Sequence, residues 1–77
     1  DVLSKCAALL ESVITNHPFH DGNKRIGYTL SRMYLLMNNT DFSATEPQRY
    51  DFIVSIASGK ESFDSILEWL QANTQNG

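Results

Sequence analysis

Nine consecutive residues, His17 to Arg25 ("HPFHDGNKR"), hold two imidazoles, a carboxylate, an amide, two cations and a glycine. Side chains of these types, this close together, suit the handling of an anion and a proton at one place. A histidine titrates near pH 6.5, so His17 can take a proton from an attacking hydroxyl at neutral pH. Gly22 lets the backbone approach a ligand, Asn23 adds an amide donor, and Lys24 and Arg25 add positive charge. Asp21, directly before this cradle, is a candidate Mg²⁺ ligand, because Mg²⁺ is held by one or two carboxylates together with substrate phosphate oxygens. Each residue also has a plain structural use: Asp21 as the N-cap of a following helix, His17 as a capping or packing group. Phe19 reads as an apolar anchor for the loop, and His20 as exposed and without assigned role. A zinc site from His17, His20 and Asp21 lacks a second ligand cluster, and the two glycines and Lys-Ser/Thr ending of a Walker loop are absent.

Helices must position this segment, for apolar residues recur at helical spacing almost throughout and no alternating strand pattern persists. Leu3, Ala7, Leu10 and Ile14, widened by Cys6, Leu9 and Val13, mark a first helix with a broad buried face that Pro18 stops near Asn16. Ile26, Leu30, Met33 and Met37 predict the buried stripe of a second helix, which starts at Gly22 or Asn23 and ends at Asn38 and Asn39. At such a start the first amides lack intrahelical partners and form the positive end of the dipole. An anion suits that place. Two cations there conflict with the dipole, a penalty that a bound polyphosphate would reverse. Pro47 opens a third helix with Tyr50, Ile53, Val54 and Ala57, and Gly59 stops it. Ser62 caps a fourth, whose stripe is Phe63, Ile66, Leu67 and Leu70, with Trp69 read as core. Residues Asn73 to Gly77 read as a frayed tail. The expectation is an all-α bundle of about four helices, one domain over residues 1–77.

Composition sets limits on this picture. The chain has 77 residues, 42% of them hydrophobic and 19% charged, as in ordinary globular proteins. A net charge of −3 excludes a bulk electrostatic grip on nucleic acid or an anionic membrane, so any anion must be held locally. One cysteine, Cys6, leaves no internal disulfide and no thiolate metal cluster, which fits a reducing cytoplasm. No apolar run reaches membrane-spanning length and no leader resembles a signal peptide.

"HPFHDGNKR" resembles the signature of the Fic/Doc family, His-x-Phe-x-Asp/Glu-Gly/Ala-Asn-Gly/Lys-Arg, at every defined position. The preceding "AALLESVITN" and the later "IVSIASGKESFDSILEWL" look like the death-on-curing (Doc) branch. The resemblance implies that His17 is the general base activating a target hydroxyl, that Phe19 anchors the loop and that Asp21 holds Mg²⁺. It implies further that Gly22, Asn23, Lys24 and Arg25 bind the phosphates of ATP. Most Fic proteins have glycine where this chain has Lys24 and transfer AMP to a protein hydroxyl. The Doc branch has lysine and transfers the γ-phosphoryl group, with translation elongation factor Tu as its target and an antitoxin as its partner. The resemblance therefore implies a kinase-like toxin of a toxin–antitoxin pair.

Three departures qualify that resemblance. Tyr28 stands where many AMP-transferring members carry a second arginine, three positions after the first. The inhibitory Ser/Thr-x-x-x-Glu-Gly/Asn motif is absent from these residues. The upstream helices and the β-hairpin flap that docks the target by strand pairing would precede Asp1, so the chain reads as a piece lacking them. The expected chemistry is phosphoryl transfer to a Ser or Thr hydroxyl, governed by positioning and charge neutralisation. Against it stand two alternatives: AMP transfer at the same site, and a catalytically silent helical module that docks a partner.

Overall fold

Asp1 starts the first helix: its Oδ1 accepts a hydrogen bond from the backbone N–H of Ser4 at 2.8 Å, satisfying one of the amides a helix start leaves open. From there α1 runs Val2–Thr15, α2 His20–Met37, α3 Glu46–Ala57 and α4 Phe63–Asn73. The computed structural model describes residues 1–15 and 20–76, and for residues 20–23 its description is of the backbone. The expected small all-α bundle of four helices is what forms. The two later helices begin as their local sequence dictates. Thr45 and Gln48 make a capping box on α3, and Ser62 and Ser65 make one on α4. After α3 the chain turns at Gly59, whose φ of 77° lies in the left-handed region that glycine adopts without strain.

α1 lies at the centre, against α2, α4 and α3. Its Cys6, Ala7, Leu10 and Ile14 are buried, as the periodicity predicts. They join Leu35 of α2, Phe52, Ile53 and Ile56 of α3, and Ile66 and Leu70 of α4 in one core. Burying each of the large aliphatic side chains stabilises the fold by about 1.5–3 kcal/mol. Burial also pushes the Cys6 thiol up to about 12, so it is a small apolar core residue and not a nucleophile.

The second helix faces the opposite way from the expectation. Its stripe of Ile26, Leu30, Met33 and Met37 lies outside, with Met33 53% exposed, while Leu35 is 0% exposed. The inward positions are Gly27, Ser31 and Leu35, with Tyr28 and Tyr34 half-buried beside them. The reason is distance. A Cβ at Gly27 would stand 2.6 Å from Cγ1 of Ile14 and 3.7 Å from Cγ1 of Val13, so α1 can approach only a face of small residues. Ser31, buried among them, satisfies its hydroxyl by donating to the Tyr28 carbonyl at 2.9 Å. Hydrophobic periodicity marks the strongest apolar stripe, and here the closest packing uses the weaker one.

The tail is a second correction. Residues Thr74–Asn76 form β2, antiparallel to β1 (Thr40–Phe42), with Thr40 opposite Asn76 and Phe42 opposite Thr74. Thr40 and Phe42 point into the core, and Thr74 leaves α4 in an extended conformation. The partners lie more than thirty residues apart, so no local pattern reveals them. Arg32 Nε and Nη2 then tie α2 to β1 by donating to Asp41 Oδ1 and Oδ2, each at 3.2 Å.

Leu35→Ala should lower stability by about 2–5 kcal/mol, whereas Met33→Ala should change it by less than about 1 kcal/mol. Equal losses in urea unfolding would contradict the observed orientation of α2. Gly27→Ala should cost about 1–3 kcal/mol through overpacking despite alanine's better helix propensity. In an Ile14→Ala background much of that cost should vanish, as a double-mutant cycle would read out.

Candidate functional site

The described part of the motif stands at the start of α2. Because α2 begins at His20, Asp21 is its second residue and not its N-cap, and Lys24 and Arg25 stand past the first turn. The dipole's influence falls off within that turn, so the expected conflict between two cations and the helix end is weaker than the sequence suggests. A carboxylate in the first turn, Asp21, is favourable there. His17 and Phe19 lie outside the described residues. His20, Asp21, Gly22 and Asn23 are described by their backbone, so the expected roles of these side chains, and any zinc set they could join, are likewise outside.

Lys24 and Arg25 open onto a cleft of about 490 Å³ between α2 and α3, lined also by Tyr28, Glu46, Arg49, Tyr50 and Ile53. That size falls within the range of small-molecule sites. The sequence reading assigned Lys24 and Arg25 to phosphate binding and had no place for Arg49. The structure brings the three cations to one cleft. A signal existed: Arg49 precedes Ile53 and Ile56 at i, i+4, i+7, which sets a cation on the buried stripe of α3.

Arg49 is held from several sides. Its Nη1 donates to the Ala44 carbonyl at 2.9 Å, and Nη2 stands 3.8 Å from the exposed Glu46 carboxylate. Its guanidinium carbon lies 5.9 Å from the centre of the Tyr28 ring, within cation–π range. Thus a guanidinium covers the tyrosine that occupies the place of the resembled family's second arginine. Tyr28 is fixed in turn by stacking on Phe42 of β1 at 5.7 Å, and Phe42 meets Trp69 of α4 at 6.1 Å. Trp69 stacks on Phe52 of α3 at 3.8 Å and is partly buried against the core, the side on which the sequence reading put it. One aromatic column therefore runs from the cleft wall through β1, α4 and α3.

The comparisons with known proteins meet this geometry at α1 and α2. The model of the Fic/DOC family matches residues 1–35. That segment holds α1, the whole "HPFHDGNKR" motif and most of α2. The match supports Fic/DOC membership over less than half of the chain; Arg49, α3, α4 and the strand pair lie beyond it. No curated protein and no solved structure matches the chain. Among the described residues no helix is long and apolar enough to cross a membrane.

The Arg32 hydrogen bonds hold the Asp41 carboxyl below its ordinary value, with the Phe42 amide assisting. A carboxyl lowered in the folded state stabilises the fold above its unfolded pKa, near 3.9, and loses that contribution as pH falls through the lower folded value. Stability measured from pH 5 down to pH 2 should therefore fall, and Asp41→Asn should make the fall shallower. An unchanged slope would show that the Arg32 pair does not anchor β1 under Tyr28.

Proposed function

We propose that this chain carries the catalytic segment of a Doc-like transferase that moves the γ-phosphoryl group of ATP to a Ser or Thr hydroxyl of a protein. The carrying observation is the convergence of Lys24 and Arg25 with Arg49 on one cleft at the start of the motif helix. In this reading His17 accepts the hydroxyl proton, the new O–P bond forms at the γ-phosphorus, and the bond to the β-phosphate oxygen breaks to release ADP. Lys24, Arg25 and Asn23 stabilise the charge of the transferring group, and Gly22 allows its close approach. The site works by holding reactants in line rather than by covalent chemistry of its own.

Asp21, three and four positions before the two motif cations in the sequence, offers the hard oxygen donor that Mg²⁺ requires. Bound there, Mg²⁺ would neutralise phosphate charge. The lysine at position 24, in place of glycine, favours γ-phosphoryl transfer over AMP transfer. The target proposed by this reading is an elongation factor Tu-like protein of the cytoplasm, with an antitoxin as the restraining partner.

The test is label transfer to a bacterial lysate from γ-³²P-ATP and, in parallel, α-³²P-ATP, both with Mg²⁺. Label from the γ position, reduced at least about a hundredfold by His17→Ala, is the expected result for loss of a general base. Label from the α position would make the site an AMP transferase. Absence of both from the folded chain would favour a module that only docks a partner.

A further inference from the structure

The apolar stripe of α2 is left over by the packing of the bundle. Among the described residues the exposed large aliphatic and methionine side chains all stand on this helix: Ile26, Leu30, Met33, Leu36 and Met37, between 40% and 81% exposed. Together they show on the order of 500 Å² of apolar surface, toward the upper end for the largest patch of a monomer. The core does not use them, because α2 turns Gly27, Ser31 and Leu35 inward. By helical spacing Arg25 and Arg32 stand off the stripe, and Arg32 is engaged with Asp41 of β1. The stripe is therefore an uncharged helix face of the kind that marks a protein contact.

We infer that this face docks a second copy of the chain, antiparallel, about a two-fold axis that passes between Leu30 and Met33. Spacing, charge and area select that occupant. Ile26, Leu30, Met33 and Met37 follow one another at four, three and four residues, the seven-residue recurrence of a helix-pair seam. These steps read alike in both directions. An antiparallel copy thus sets Ile26 against Met37 and Leu30 against Met33, as a self-complementary two-fold contact requires. Parallel docking would bring together two positive helix starts, each carrying Lys24 and Arg25, whereas antiparallel docking sets each start beside the negative end of the other helix, at Asn38 and Asn39. Two such faces would bury about 1,000 Å² in all, the area at which a specific interface becomes credible. Methionine side chains adapt readily to the opposing surface. Contact here leaves the cleft between α2 and α3 open, so the inference does not rest on the transferase reading.

Sedimentation equilibrium of the whole chain tests it. The native chain should form a dimer that half-dissociates at about 10–100 µM, as suits an interface of this size. Met33→Glu should leave the helix content unchanged and weaken the dimer at least about tenfold, because pairing would bury an unpaired carboxylate. A native chain still monomeric at about 1 mM overturns the inference and leaves the stripe to another segment or protein. A dimer that Met33→Glu leaves intact overturns it as well, since the copies then meet elsewhere. Cys6 is buried, so introduced cysteines can report the direction of pairing. Mixed Ile26→Cys and Met37→Cys chains should form a disulfide on mild oxidation that neither variant forms alone, because antiparallel helices hold like positions about 16 Å apart along the axis. Equal cross-linking in the single-variant samples would overturn the antiparallel arrangement.

Discussion

Gly27 sets how closely α2 can lie on α1, and the remaining geometry follows from that contact. With no side chain at this position, Ile14 and Val13 rest against helix backbone, and a Cβ would meet Ile14 at 2.6 Å. The rotation that puts Gly27 inward also puts Ser31 and Leu35 inward. It turns Lys24, Arg25 and Tyr28 toward α3 and sends Ile26, Leu30, Met33 and Met37 to the outside. A larger residue at 27 would have to displace the buried Ile14 side chain or shift the helix on which the motif begins. Close packing transmits such a shift because interiors are as dense as organic crystals.

The cleft's other wall depends on contacts between elements distant in the chain. Tyr28 rests on Phe42, Phe42 meets Trp69, and Trp69 rests on Phe52, so α2, β1, α4 and α3 share one aromatic column. Pairing of β1 with β2 holds Phe42 in line, and the Arg32–Asp41 pair locks β1 to α2. Arg49 then closes over the outer face of Tyr28. A cation is thus set beside the motif by a helix that contributes none of the motif's residues.

Much of this was legible in the sequence, where local chemistry governs. The helix starts at Thr45 and Ser62 follow from capping, the stop at Gly59 from backbone freedom, and the face of α1 from its periodicity. The orientation of α2 was not legible, because the apolar stripe that periodicity selects is not the face narrow enough to meet α1. Pairing of the tail was not legible either, since Thr40 and Asn76 are brought together by the bundle and not by any turn. Lys24 and Arg25, singled out in the sequence by residue type, both line the cleft. That Arg49 lines the same cleft was not legible, because a lone cation on an amphipathic helix reads as a solvated side chain until its neighbours are known.

The central claim is that ligand is held on the face of α2 that looks toward α3. Chemical-shift mapping of the ¹⁵N-labelled chain during titration with ATP and Mg²⁺ tests it most directly. The account predicts shifts concentrated at backbone amides of residues 20–28 and 46–53, with those of Leu30, Met33 and Met37 changed little. Shifts confined to the outer stripe, or no shifts at saturating ATP, would contradict it.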